Sequence, residues 1–378
     1  MKTNRLKGVS RFLAPLAQPV LAIGLALLVG AITILMAGEN PIKIYGIMFK
    51  GAFGSEYYLL TTLTRATPII ITGLGAALCW SSNYMGIGGE GQMIFGGFIC
   101  AVISVHLPGP QWLKLVCGIL FGMIGSGLYS MFSAWLVDKF KMSLAISTLM
   151  LNYSAVYITM HFVQNVYLDK AGDAKLVQTA MIDESIRLPR IIEGQKLHWG
   201  FGIAVLLVIL TWILMNRTSF GYESKMSGFN IHFCDYGGIN SKKIMYGMLT
   251  LSGVVCGIAG IIEVLGVNYR YVHGTYVSAS YAWIGLNAAL ISGYNPIGIL
   301  ITSIILAGIS TGGSAIARAT TVPLEISTII QGFITLFISA KIVIQFRKKQ
   351  RKTEPAAPLI PPTDGKDGEI VIEGGTVQ

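Results

Sequence analysis

Of the 378 residues, 53% are apolar and only 12% charged, about half the roughly one quarter that a soluble domain carries. Lys and Arg exceed Asp and Glu by 28 to 18, a net charge of +10, yet the surplus lies at the chain ends and in short loops between apolar runs. That distribution argues against a nucleic-acid binder, which would gather its cations on one face, and fits the cytoplasmic loops of a membrane protein.

Taken in chain order, residues 1–18 form a basic segment that begins like a signal peptide. The apolar run after it is long enough to span, with no clear small-residue cleavage site behind it, so a retained first helix is expected. Ten candidate spans follow from the rule of about 20 mostly apolar residues: 19–37, 59–80, 86–106, 112–136, 144–164, 199–215, 243–267, 280–294, 296–314 and 322–345. The chain thus reads as an all-α polytopic membrane protein whose permease-like body covers 19–345. With Lys2, Arg5, Lys7 and Arg11 inside, an even count of spans returns RKKQRK (347–352) to the cytoplasm, and Lys139, Lys141, Arg217, Lys225, Lys242 and Lys243 fall inside as well. Both termini are therefore expected to be cytoplasmic. The stretches 280–294 and 296–314 meet at Asn295–Pro296 and read either as two short spans or as a re-entrant pair.

Three segments are too polar to span: an extracytoplasmic loop at 165–198, a cytoplasmic loop at 216–242, and a tail at 346–378 that is basic and then Pro-, Gly- and acid-rich, as disordered segments are. GxxxG spacing at Gly118/Gly122 and Gly253/Gly257 points to close helix packing rather than to a phosphate loop.

Catalytic chemistry is missing from the sequence. There is no GxxxxGK[ST] loop to hold ATP, no HExxH, and no GxSxG with triad partners. Five cysteines (Cys79, Cys100, Cys117, Cys234, Cys256) and five histidines show no ligand spacing, so no metal, cofactor or disulfide framework is expected. A ten-span chain of this kind moves something across a membrane rather than converting it.

The stretch NYMGIGGEGQM (83–93) sets Glu90 and Gln92 among four glycines between two apolar runs. A charge at mid-membrane costs about 2.5–3.5 kcal/mol on insertion scales and so usually faces a cavity or partner. The ordinary alternative is a carboxylate in water at the cytoplasmic face. The glycines favour a broken or kinked start to the third span. Asn152, Tyr153, Glu263 and Asn287 are further polar groups inside spans, read either as lining a path or as helix–helix hydrogen bonds. In the loop 216–242, Asn230 is a helix-start residue and Gly237–Gly238 a terminator, so HFCDY between them reads as a short protruding helix.

GIGGEGQM resembles the NIG-x-EGQ motif of nucleoside-type permeases of ABC importers, in the wider family with ribose and branched-chain amino-acid permeases. RATPIIITGLGAAL (65–78), STLMLNY (147–153), GYESKMSGFN…YGGIN (221–240), LSGVVCGIAGIIEVLG (251–266) and GLNAALISGYNPIGIL (285–300) resemble the family's other stretches, and together they cover about residues 40–340. Gly86 stands where the family usually has Asn, Lys225 where it has Arg, and MSLAIS (142–147) lacks a common Glu. The resemblance implies a bacterial cytoplasmic (inner) membrane permease with no enzymatic activity of its own. It implies a separate ABC ATPase, a second and different permease chain, an extracytoplasmic substrate-binding lipoprotein and surrounding lipid as partners. It makes the segment carrying Lys225, Asn230, Cys234, Asp235, Tyr236, Gly237, Gly238 and Asn240 the ATPase coupling element, and Glu90, Gln92, Asn152, Tyr153 and Asn287 candidates for the translocation path.

Nucleosides are the expected cargo, since Asn, Gln and Tyr can meet neutral hydroxyls and ring nitrogens without a fixed charge. A simple sugar such as ribose is the near alternative. From other classes, a secondary transporter would take protons through Glu90 and Glu263, and a membrane scaffold or receptor would leave the buried polar residues idle.

Overall fold

The computed structural model describes residues 27–36 and 38–320, apart from 170–175, 193, 231–233 and 235, together with Gly24, Glu325, Thr328, Ile329, Gly332, Phe333 and Leu336. The expected basic N-terminus 1–18, most of spans 19–37 and 322–345, and the tail 346–378 lie outside the described residues. The described chain is helical and without named strands: α1 Leu27–Met36, α2 Pro41–Phe53, α3 Glu56–Trp80, α4 Gly89–His106, α5 Gln111–Phe140, α6 Leu144–Asn165, α7 Gly200–Arg217, α8 Ser219–Phe229, α9 Ser241–Glu263, α10 Thr275–Ala279, α11 Tyr281–Ile291 and α12 Pro296–Ala319.

Five helices among the described residues are long and apolar enough to cross a membrane: α3, α5, α7, α9 with the π-turn Val264–Asn268 that continues it, and α12. The bent pair α1–α2 would make a sixth. The predicted spans 86–106 and 144–164 also appear as helices, but Glu90 and Gln92 in α4 and the hydroxyl-rich face of α6 make them more polar. Two sequence expectations change. Residues 280–294 form no full span: α11 has 11 residues, about 16 Å at 1.5 Å per residue, against a hydrocarbon core of about 30 Å. Left-handed backbone at Ser280 starts it, and Gly293 and Tyr294, also at positive φ, end it. Residues 41–53, expected as loop, form α2 because Pro41 occupies the first helical turn and the Asn40 side chain accepts from the Ile42 N–H.

Helices α3 and α9 make the centre, with 83% and 78% of their most apolar windows buried, whereas α5 and α7, at 28%, turn most of their surface outward. The outward face of α5, with Leu120, Ile124 and Leu128 each at least half exposed, suits lipid. In a bilayer no hydrophobic force drives helices together, so close approach of small residues must hold the bundle. A Cβ on Gly260 would collide with the Met93 carbonyl oxygen of α4, and one on Gly257 with the Ser126 side chain of α5. Gly118 and Gly122 of α5 meet α4 in the same way, at Ser104 and the Gly96 carbonyl. The GxxxG packing read from the sequence is therefore present.

The stretch 176–199 folds back onto one end of the bundle. Ile182 and Ile186 are buried with Cys100, Ile261 and Leu265, and Lys114 pairs with Asp183 at 3.3 Å. His198 is fully buried there, its ring against Gly266, accepting from the Gly200 N–H at 3.1 Å. Burial pushes its pKa down from 6.5 to about 4, so the ring is neutral in the fold.

Two outcomes follow from this packing. Gly260→Val, which places a branched side chain on a backbone contact, lowers the thermal unfolding temperature of the detergent-solubilised protein well beyond Gly46→Ala, a helical position with nothing within 4 Å. The unfolded chain binds a proton at His198 that the folded chain refuses, so stability falls as pH drops from about 6.5 toward about 4 and is unaffected by this group above that window. The same unfolding measured across that pH range has a shallower slope in His198→Gln; an unchanged slope refutes the assignment.

Candidate functional site

The glycine-rich stretch is an unwound link between α3 and α4. Turn residues 81–83 end α3, and regular structure resumes at Gly89, with Gly88 as the cap. Unwound backbone inside a bundle must find hydrogen bonds from protein, because lipid offers none. Helix α6 supplies them. Thr148 Oγ1 accepts from the Ile87 N–H at 2.9 Å. Asn152 acts twice, its Nδ2 donating to the Ile87 carbonyl at 2.7 Å and its Oδ1 accepting from the Gly91 N–H at 2.9 Å. From the other side, the Trp80 indole N–H donates to the Gly86 carbonyl at 2.8 Å. Thr148 and Asn152 are four apart on one face of α6, the spacing that brings two side chains to the same strip of backbone. Gly91 has no Cβ because the Asn152 amide fills that space, 3.0 Å from where one would sit.

Gln92, one turn further in, is buried and donates to Ser130 Oγ at 2.9 Å, and Ser130 in turn donates to the Leu249 carbonyl at 2.6 Å. This chain joins α4, α5 and α9, and leaves Gln92 Oε1 buried with no partner among the described residues. Glu90 is half-buried. Its Oε2 accepts from the Trp283 indole N–H of α11 at 3.1 Å. Glu90, Gln92, Thr148 and Trp283 line a small cavity of about 30 Å³ beneath the link.

A larger cavity, about 370 Å³, also has Trp283 in its wall and is lined among others by Arg65 of α3, Ser278 to Ser280, Asn287 of α11, and Ser310 and Ser314 of α12. Arg65 Nη1 donates to the Ser310 carbonyl at 3.3 Å and to Ser314 Oγ at 3.0 Å. Glu263, buried at the end of α9, is within electrostatic reach of Arg65.

Of the five residues expected on a path, Glu90, Gln92 and Asn152 gather at the link, and Asn287 lines the larger cavity. Tyr153 lies apart, 57% exposed on the outward face of α6 with Met150 and Tyr157. Asn152 is occupied in holding backbone. Arg65, Thr148, Ser130 and Trp283 were not among the residues expected from the sequence. Arg65 was legible, being a lone cation inside the predicted span 59–80; Trp283 was not, because an indole in an apolar run gives no signal.

The residues expected to couple to an ATPase form a second group. Lys225 Nζ donates to Asn216 at the end of α7 at 3.0 Å. Asn230 closes α8, and its carbonyl accepts the Cys234 N–H at 3.1 Å. Cys234 is buried and Tyr236 94% exposed. Gly237–Gly238 turn the chain, Gly238 at φ +82°, and the Asn240 side chain caps α9 by accepting from the Lys243 N–H. Asp235 lies outside the described residues. The expected loop also contains α8, which packs on the turn after α3: Ser224 and Ser82 hydroxyls are hydrogen-bonded, and Ser227 Oγ meets the Tyr84 hydroxyl at 2.9 Å.

Residues 58–339 match the family described as the permease component of branched-chain amino acid transport systems. The chain belongs to that permease family. It is 28% identical over 335 residues to the guanosine ABC transporter permease protein NupP of Bacillus subtilis, covering 88% of this chain and 96% of that protein. It is 27% identical over 346 residues to the nucleoside ABC transporter permease protein NupB of Lactococcus lactis, covering 90% and 94%. The glucose ABC transporter permease protein TsgB13 of Haloferax volcanii is 25% identical over 343 residues, 88% of each chain. The permease is thus a multi-pass membrane component of an ABC transport system and not an enzyme, which sets aside the proton-coupled carrier and the scaffold.

In this permease Glu90→Gln keeps an acceptor for the Trp283 N–H and Glu90→Leu does not. Transport assayed at matched expression falls far more in the leucine variant; equal, near-native transport in both would make the carboxylate idle.

Proposed function

We propose that this permease carries nucleosides inward across a bacterial cytoplasmic membrane, driven by a separate ABC ATPase. The observation that carries the cargo is the match along nearly the whole length to permeases named for guanosine and nucleosides. The polar groups fit that cargo: apart from Arg65, the larger cavity is lined by an amide and hydroxyls, which can meet neutral hydroxyls and ring nitrogens. A sugar is the second reading, favoured by the glucose permease among the relatives.

On this reading a basic cytoplasmic segment 1–18 and a cytoplasmic tail 346–378 flank a permease body at 19–345, in which α11, at about half the length of a span, reaches only part of the way across. Residues 165–198 face outward, toward an extracytoplasmic binding lipoprotein. The loop 216–242 faces the ATPase, presenting exposed Phe229 and Tyr236 from a base fixed by Lys225, Asn230, Cys234 and Asn240. A second, different permease chain completes the path, in which Glu90, Gln92, Asn152, Tyr153 and Asn287 remain the proposed lining.

Cells lacking this gene lose uptake of radiolabelled guanosine while ribose and glucose uptake continue; loss of a sugar alone supports the second reading. Gly238→Val, which forces a branched residue to φ +82°, leaves the protein in the membrane but abolishes that uptake. Normal uptake in this variant would reduce the loop to a connector.

A further inference from the structure

The two cavities share a single lining residue, Trp283. Its indole N–H is tied to Glu90 on the side of the small cavity, while the side chain is 40% exposed. A ring fixed at one edge and open on its surface is a stacking platform, since an aromatic face gives up little motion when another ring covers it.

Around this platform the larger cavity offers polar groups of several kinds. Arg65 is held in place through Ser310 and Ser314, which fix one terminal nitrogen. Asn287 brings both a donor and an acceptor, and Ser278 and Ser280 bring hydroxyls. A volume of about 370 Å³ is within the range of small-molecule sites. Lipid is a poor occupant, because an arginine opening onto acyl chains is costly.

We propose that this cavity is a binding station for a planar heterocycle bearing hydroxyls, a nucleoside, with the base stacked on Trp283 and the sugar and ring substituents met by Arg65 and Asn287. Trp283 is also the partition between this station and the chamber under the glycine link, so release of its bond to Glu90 opens the next stage of passage. The inference rests on the nucleoside reading above and adds the site and its residues.

The test uses the transporter assembled in membrane vesicles, with Ala279→Cys in the cavity wall and Cys117, the one native thiol that is not buried, changed to Ser. Labelling of the introduced thiol by a small maleimide is followed during guanosine uptake, with ribose as control. Guanosine slows labelling in a concentration-dependent way and ribose does not. Trp283→Leu raises the half-protecting concentration about tenfold, the scale of one lost stacking contact, while Trp283→Phe stays within about threefold. Vesicles that import guanosine with unchanged labelling overturn the inference alone, as does protection that is the same in the leucine and phenylalanine variants and the parent. Vesicles that import no nucleoside overturn the cargo reading and the inference with it.

Discussion

The structure depends on the grip of Asn152 and Thr148 on the unwound link between α3 and α4. A run of unwound peptide groups in a bundle gives up its helical hydrogen bonds and lipid offers none in their place, each group left unpaired in hydrocarbon costing on the order of several kcal/mol. Two α6 side chains satisfy three of those groups, and Trp80 satisfies a fourth. Only then can the link place Glu90 against α11 instead of continuing as helix. The glycines are the complement of this grip: at 91 a Cβ would press on the Asn152 amide at 3.0 Å and push it off its two bonds.

The grip in turn requires that α4 and α6 keep a fixed distance from the central helix α9. Glycine-on-backbone contacts between α4, α5 and α9 provide it. Where backbone meets backbone, as at Gly260 with Met93 and Gly96 with Gly257, there is no soft side chain to deform, so the contact defines one separation rather than a range. The Gln92–Ser130–Leu249 chain adds a polar tie through the same three helices, in a setting where an unmade bond is expensive. Rigid scaffold and irregular insert are thus parts of one arrangement: close glycine packing beside the link, and two cavities that share Trp283 in their walls.

Much of this was legible in the sequence, and what was not has a physical reason. Long apolar runs identify α3, α5, α7, α9 and α12, because burial in lipid and burial in protein demand the same composition. The length of α11 was not legible, since a short apolar run followed by Asn-Pro looks like part of a span; the left-handed residue at Ser280 that starts it has no compositional mark. Helix α2 was obscured by Lys43 and Lys50, although Asn40–Pro41 announced its start. At the site, Glu90 and Gln92 stood out as polar residues in an apolar setting, while the division of labour among Asn152, Thr148 and Trp283 emerges only from which atoms meet. Tyr153 shows the limit of the same reasoning, because adjacent residues on a helix point about 100° apart, and its neighbour Asn152 takes the inward face.

The contact between α8 and the turn after α3 has a mechanical meaning. Gly228 lies so close to Ser82 that a Cβ there would be 2.7 Å from its carbonyl carbon, and the hydroxyls of Ser224 and Ser82 close the remaining gap. Gly88, the cap of α4, follows Ser82 by less than two helical turns of chain. A joint so closely packed, placed that near the start of the link, ties the position of the link to that of α8 with little slack in its side chains. The stiffness of this joint, more than the strength of any bond in it, fixes where the link sits relative to α8.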